Sequence, residues 1–586
     1  MLKKSLVFVY SLVIAQICGE NAYGHPTPEH GVTFSDSSAQ LTPFRRSTDG
    51  ITEGLAGAAW LDYDNDGDQD AFLVNGVNRA NALFRNDNGS FTDVAVSARV
   101  DGGGVAGVAA ADIDNDGCVD LFTVGAGGFG GPANLSQPHK LYVNNCNGTF
   151  DDITLLSGIS GPHPAMMAAF GDINNDGFVD LFITNPGSFI SGLGPQSLYL
   201  NNRDRTFTEI STSAGIDTMN GGCVVNFIHY DADNYIDIVV GNCNLLEFSP
   251  NPIPVPGPWE LWRNNGNNTF TDVATAAGLN ARPGFPMALT AADIDGDGDI
   301  DLFATGLGVA FSEDHGNHGL LAEQVLFKNS GDGTYKDVTY HSGLGGFEWG
   351  WGANFVDYDN DGDEDLVAVG SMPPVFGVVG ADFAHPGRVY ENNGRGRFTS
   401  SQSFGLEGLF TTGLAIGDYT GDGFPDALVC TAEFSSINLL GQAFSGDGNP
   451  VLLTNNGNNN RSITIKLKGT ISNSLGIGAI VTLEHAGQKQ TKQVFSGSGF
   501  ASSSSLWLTF GLGQYHSHKL KLKVRWPSGL EEIFLVTGFP DKLVVLEEGT
   551  AYETLAKKLS NAHKKIRRLS KQLRKARKRL RKRHRY

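Results

Sequence analysis

One short acidic loop occurs seven times in this chain, and no other feature constrains the fold as strongly. Asp62-Tyr63-Asp64-Asn65-Asp66-Gly67-Asp68-Gln69-Asp70 sets side-chain oxygens at positions one, three, five and nine of a nine-residue loop, with Gly at position six. The pattern returns as Asp112, Asp114, Asp116 and Asp120, as Asp172, Asn174, Asp176 and Asp180, and as Asp293, Asp295, Asp297 and Asp301. It returns again as Asp357, Asp359, Asp361 and Asp365, and, altered at position three, as Asp418, Thr420, Asp422 and Asp426. A degenerate copy, fourth in chain order, keeps Asp231, Asp233 and Asp237 but has His229 at position one and Asn234 at the glycine position. First positions fall at 62, 112, 172, 229, 293, 357 and 418, spacings of 50 to 64 residues. Such a period suits one four-stranded propeller blade with a variable loop.

The chemistry of the loop points to calcium. Ca²⁺ takes six to eight hard oxygen ligands, and a tight turn through a residue with positive φ brings alternate side chains onto one ion. One Asp/Gly-rich turn is weak evidence, whereas seven in register are strong. The oxygen-bearing residues of the six regular copies are therefore the expected metal ligands. The fourth copy is expected to bind weakly or to be held by packing, since imidazole is a poor calcium ligand; Asn234 tolerates a left-handed turn better than most residues. An EF-hand would need a bidentate Glu at position twelve and a helix after it. Position twelve here is Leu73, Thr123, Ile183, Val240, Ala304, Ala368 or Val429, inside apolar runs that read as buried strands.

A second pair of strand signals follows each loop. The first ends on Asn86, Asn144, Asn201, Asn264, Asn329, Asn392 or Asn455. After an Asn/Gly turn the second centres on Phe91, Phe150, Phe207, Phe270, Tyr335 or Phe398, six aromatics for seven copies. The missing strand is expected upstream, at Gly31 to Asp36 around Phe34, where an N-terminal strand would complete the last blade and close the ring. The fold class is then all-β: a seven-bladed propeller over residues 30–457, a small β-rich domain over 458–548, and a basic helical or disordered tail over 555–586. A chain of 586 residues with 76 Gly fits a large repetitive β domain better than a single ordinary core.

Residues 1–24 have the layout of a secretory signal peptide: Lys3 and Lys4, the apolar run Leu6 to Ile14, then small residues, with cleavage expected after Gly19 or Gly24. The run is too short to span a bilayer, and no later segment is long and apolar enough either, so a secreted, extracellular protein is expected. Cys18 leaves with the signal. Of the remaining five, Cys223 and Cys243 flank the fourth loop symmetrically and are expected to pair, Cys118 and Cys146 share one end of a blade, and Cys430 reads as a buried core thiol. Sequons at Asn88, Asn134, Asn147, Asn267 and Asn460 permit glycosylation in a eukaryotic host.

Net charge is −20, yet residues 557–586 hold 16 Lys and Arg and no acid, which leaves the rest of the chain at −36. A body this acidic favours cations and excludes nucleic-acid binding by charge. Leu555, Leu559, Ala562, Ile566, Leu569, Leu573, Ala576 and Leu580 form a heptad seam on the basic tail. A coiled coil, a segment for sulfated polyanions or anionic membranes, and a removable propeptide all remain open, with a helix formed on a polyanion preferred.

The loops resemble the FG-GAP repeats of integrin α-subunit propellers. Asn460 to Phe534 resembles the ASPIC/UnbV domain through Asn473 to Ala479, Gly497-Ser498-Gly499-Phe500, Phe510-Gly511-Leu512-Gly513 and Trp526-Pro527-Ser528-Gly529. The pairing is similar to the cartilage acidic protein family, a resemblance that implies an extracellular or cell-surface calcium-binding glycoprotein; the basic tail departs from it. The resulting expectation is a non-enzymatic, secreted calcium-binding protein of matrix or adhesion type, with a matrix or cell-surface protein or glycan as partner. A propeller lectin or polysaccharide-acting enzyme is the alternative, using the opposite face or the central channel, with Trp349 and Trp351 as a sugar platform. No Gly-x-Ser-x-Gly elbow, phosphate loop or zinc spacing supports catalysis.

Overall fold

The computed structural model describes residues 32–42, 44, 57–76, 79–103, 105–125, 138–159, 165–186, 194–216, 218–231, 233–246, 253–306, 309–310, 321–345, 350–370, 387–406, 409–432, 437–439, 442–444, 448–485, 487–515, 519–537, 543–551 and 564–571. The signal segment, Asn134, Trp349, residues 311–320 and most of the tail lie outside them.

The repeats fold as four-stranded antiparallel sheets, as alternating apolar runs broken by Asp/Gly turns require. Sheet 1 comprises Ala58–Leu61, Asp70–Leu73, Ala82–Asn86 and Phe91–Asp93, paired in that order. Five further sheets repeat the meander, opening on Val105–Ala111, Ala168–Gly171, Gly222–Ile228, Leu289–Ala292 and Ala353–Val356. Sheet 7 takes three strands from Thr411–Gly417, Asp426–Thr431 and Val451–Asn455, and its fourth from Phe34–Asp36. The closing strand pairs Phe34 with Asn455 and Asp36 with Leu453. The first strands neighbour one another in chain order, and that of sheet 7 returns to that of sheet 1.

A ladder of buried asparagines ties neighbouring sheets together. Asn144, Asn201, Asn264, Asn392 and Asn455 each donate Nδ2 to the carbonyl of the second loop residue in the preceding sheet, namely Tyr63, Ile113, Ile173, Ile294 and Tyr358, at 2.7 to 2.9 Å. Asn86 of sheet 1 makes the same bond to Tyr419 of sheet 7 at 2.8 Å. Sequence patterning marked these residues only as strand ends.

Residues 461–547 form two sheets. One is ordered Leu508–Gly513, Arg461–Lys468, Leu543–Glu547, and the other Gln488–Gln493, Ile480–His485, Lys519–Arg525, Glu531–Thr537. Ile463, Val481, Phe510, Leu522 and Trp526 are fully buried between them. Between its strands this domain sends residues 493–505 among the first strands of all seven repeat sheets. Ser503 exchanges bonds with Ala58 and Trp60 at 2.9 and 3.1 Å, and Val108 N–H donates to Ala501 O at 3.0 Å. Ser496 accepts from Phe170 N–H at 3.3 Å, and Gln493 Nε2 donates to Phe227 O at 2.8 Å. Gly499 and Leu289 exchange bonds at 3.0 and 3.1 Å, Ser498 Oγ donates to Asn354 Oδ1 at 3.2 Å, and Ser505 N–H reaches Ile416 O at 2.8 Å. The approach is so close that a Cβ on Gly57 would fall 1.7 Å from Ala501 O. Trp351 is buried and packs edge-on against Phe500 with centroids 5.0 Å apart, so it is no open sugar platform.

Two disulfides are formed, the expected Cys223–Cys243 and also Cys118–Cys146, with Cα atoms 5.8 and 5.7 Å apart, and Cys430 is a buried thiol outside both. Residues 564–571 of the tail are helical, with Ile566 and Leu569 exposed.

Candidate metal centre

Each acidic loop joins the first two strands of its sheet, and its own hydrogen bonds aim its carboxylates. Position four takes positive φ at Asn65, Asn115, Asn175, Gly296, Asn360 and Gly421, and position six at Gly67, Gly117, Gly177, Gly298, Gly362 and Gly423. The two left-handed residues curl the chain so that alternate side chains converge. Position one accepts the N–H of position six, as in Gly117 to Asp112 at 2.7 Å and Gly423 to Asp418 at 2.8 Å. Position five accepts the N–H of position seven in all seven copies, at 2.8 to 3.0 Å.

Position nine has a second duty. Asp70, Asp120, Asp180, Asp237, Asp301, Asp365 and Asp426 each accept the backbone N–H of the strand-end asparagine through Oδ1, at 2.7 to 2.8 Å. In six of these the other oxygen accepts the N–H of position two. Position nine thus anchors the loop to strand three, and each oxygen keeps a lone pair beyond the one so used.

Asp62, Asp64 and Asp66 bring one carboxylate oxygen each within 4.8 Å of one another, and so do Asp112, Asp114 and Asp120, Asp293, Asp295 and Asp297, and Asp357, Asp359 and Asp361. In the third and seventh loops Asn174 and Thr420 stand at position three; Asn174 Nδ2 donates to Asp176 Oδ2 at 3.0 Å and Thr420 Oγ1 to Asp418 Oδ1 at 3.2 Å. Asp172, Asp176, Asp180, Asp418, Asp422 and Asp426 complete those two loops.

Burial raises the proton affinity of these groups, and neighbouring carboxylates add to it. Asp70 and Asp301 are pushed up to about 8, Asp293 to about 7, and Asp112, Asp172 and Asp418 to about 6. Asp120, Asp180, Asp357, Asp365 and Asp426 are driven well above the carboxylate range for the same reason. Asp64 Oδ1, Asp295 Oδ1 and Asp357 Oδ1 are buried without a hydrogen-bond donor. Converging hard oxygens, several of them buried and undonated, are the donor set a calcium ion fits.

Basic side chains stand close by. Lys466 Nζ lies 3.0 Å from Asp62 Oδ2, Arg205 Nη2 2.6 Å from Asp114 Oδ2, and Arg203 Nη2 2.8 Å from Asp176 Oδ2. Lys328 pairs with Asp295 and lies 3.3 Å from Asp297 Oδ2. Only Lys466 among these comes from the C-terminal domain, and sequence reasoning missed it.

The fourth loop is different in structure as well as in sequence. His229 is held neutral, since burial and then Arg525 bring its imidazole down to about 3, and its Nε2 lies 3.1 Å from Gly478 O of the C-terminal domain. Asn234 is not among the described residues with positive φ.

Residues 62–123, 172–240, 230–304, 314–368 and 377–429 match the FG-GAP-like repeat, which together amounts to more than half of the chain. The chain belongs to the FG-GAP repeat family. Within this FG-GAP protein, residues 469–552 match the ASPIC and UnbV domain. It is similar to Cartilage acidic protein 1 of Homo sapiens and of Mus musculus, in each case 25% identical over 220 residues, 37% of this chain and 30% of the relative. Cartilage acidic protein 1 of Xenopus tropicalis is 31% identical over 139 residues, 23% of this chain and 18% of that one. The aligned parts therefore span less than a third of these relatives. Among the described residues no helix is long and apolar enough to cross a membrane.

Proposed function

We propose that this FG-GAP protein is a secreted, non-enzymatic calcium-binding protein of the extracellular matrix or cell surface, built on a closed seven-bladed propeller. The observation that carries the calcium reading is the convergence of Asp62, Asp64 and Asp66, and of the acids of the second, fifth and sixth loops, on one point in each of those loops, with carboxylate oxygens left buried and undonated. An ion there would neutralise carboxylates that otherwise repel one another and would brace the turn between the first two strands. Seven sheets in cyclic contact, and the Asn86 bond to Tyr419, support the closed ring.

The relatives' name, an acidic protein of cartilage, supports a matrix setting, and two disulfides fit an oxidising compartment. The space between the first strands is taken by the chain's own residues 493–505, so a lectin or enzyme reading would have to use the face away from the acidic loops. Chelator-stripped protein titrated with calcium tests the calcium reading. A pull-down of the loaded protein from matrix extract, run with and without calcium, tests the adhesive one: capture of a matrix component only with calcium is expected, and capture of none in either arm would remove that role.

A further inference from the structure

The face that carries the acidic loops is also the seat of the C-terminal domain, and that domain holds on to loop atoms. Three loops offer their first-position carboxylate: Asp62 to Lys466 Nζ at 3.0 Å, Asp112 to the Ser474 hydroxyl, and Asp357 to the Gly511 N–H at 3.1 Å. Asn115 Oδ1 also accepts the Ser474 N–H at 2.8 Å, and Asn360 O the Gly513 N–H at 2.8 Å. Other loops offer carbonyls, Asp297 O to Lys489 Nζ at 2.6 Å, Gly423 O to Ser462 Oγ at 2.8 Å and Asp233 O to Arg525 Nη1 at 3.3 Å. At Gly511 a Cβ would stand 2.1 Å from Asp357 Oδ2, so loop six and the domain meet with no space to spare.

We infer that the C-terminal domain is a calcium-dependent clamp: ions in the loops hold residues 493–505 between the first strands of the seven sheets, and emptying the loops loosens them. This rests on the calcium reading above. Each interdomain bond needs a loop atom in one position; hydrogen bonds within each loop aim its carboxylates, and the mutual repulsion of those carboxylates pulls against that aim until an ion offsets it. Once that charge is withdrawn, the loops relax, and the donors on Ser474, Gly511 and Lys489 lose acceptors together. The segment they secure is poorly equipped to stay alone. It is rich in Ser and Gly, Ala501 holds φ at 50°, and its only large side chains are Phe500, packed against Trp351, and the partly buried Phe495. Release would expose the channel mouth and Phe500, so calcium would gate what the ring can admit.

Hydrogen exchange on the full chain, in excess calcium and in excess chelator, reads this directly. The amides of Gly499, Ser503 and Ser505, and those of Trp60, Val108 and Leu289 facing them, should exchange at least about tenfold faster in chelator. Val481 and Leu522, inside the C-terminal domain's own sheet, should stay protected. In the Ser474→Ala, Lys489→Met double variant the same channel amides should exchange faster even with calcium present. Equal protection in both conditions, alongside a calcium-dependent rise in melting temperature, would overturn the clamp and leave calcium binding standing. Equal protection with no thermal response to calcium would overturn both.

Discussion

Asn86 Nδ2 donates to the carbonyl oxygen of Tyr419 across 2.8 Å, joining residues 333 apart in sequence. The side chain also donates to Gln69 O at 3.1 Å and accepts the Gly89 N–H at 2.6 Å. One buried amide therefore serves its own loop, its own turn and the seam where the last sheet meets the first.

Replacing it should be costly. Asn86→Ala leaves two buried carbonyls without a donor, at about 1–3 kcal/mol each, whereas Asn456→Ala removes an exposed amide and should cost under about 1 kcal/mol. Urea unfolding of the two variants checks the order, and equal midpoints would contradict a role for the asparagine ladder in joining the last sheet to the first.

Much of this was legible in the sequence, and the illegible parts share a cause. The loops, the strands after them, the N-terminal strand at Phe34 and the cysteine pairs all follow from local pattern and recurrence. Residues 497–505 do not. Gly497-Ser498-Gly499-Phe500-Ala501-Ser502-Ser503-Ser504-Ser505 carries one landmark of the domain resemblance but no hydrophobic period that would place it, because its partners are the backbones of strands scattered from Ala58 to Ile416. Lys466 likewise sits 404 residues from Asp62, and no spacing rule relates the two.

The raised carboxyls fix a sign for pH. Asp70 and Asp301 near 8 and Asp293 near 7, against about 4 in an unfolded chain, bind protons more tightly folded than unfolded. Such groups contribute stability that is complete below about pH 4 and is lost as pH rises through the folded values. In chelator the melting temperature should fall from about pH 5 to about pH 8, and saturating calcium should abolish the fall by replacing protons with an ion. Thermal melts in both conditions decide it; a chelated protein that gains stability over that range would contradict the assignment.

Single loops should differ in weight. Asp295→Ala should lower bound calcium by about one ion per chain, because Asp295 belongs to a converging cluster. Asp231→Ala should change it little, because His229 in that loop is tied to Gly478 instead. Equilibrium dialysis of both variants is the check, and equal losses would make the fourth loop an ordinary site.

The tail gives a separable prediction. Deleting residues 557–586 removes 16 basic side chains from a body at −36 and should abolish salt-sensitive retention on heparin, with the melting curve unchanged. Elution of truncated and full chains at the same salt would refute polyanion binding by the tail and favour a coiled-coil or propeptide role.

The most direct measurement is a calcium titration of the chelator-stripped full chain at neutral pH, with heat of binding and melting temperature followed together. Several ions per chain are predicted, at dissociation constants of about 10⁻⁴ to 10⁻³ M as in extracellular modules, with a rise in melting temperature that grows with free calcium. No heat and an unchanged melting curve at about 10 mM calcium, ten or more times those constants, would contradict the account.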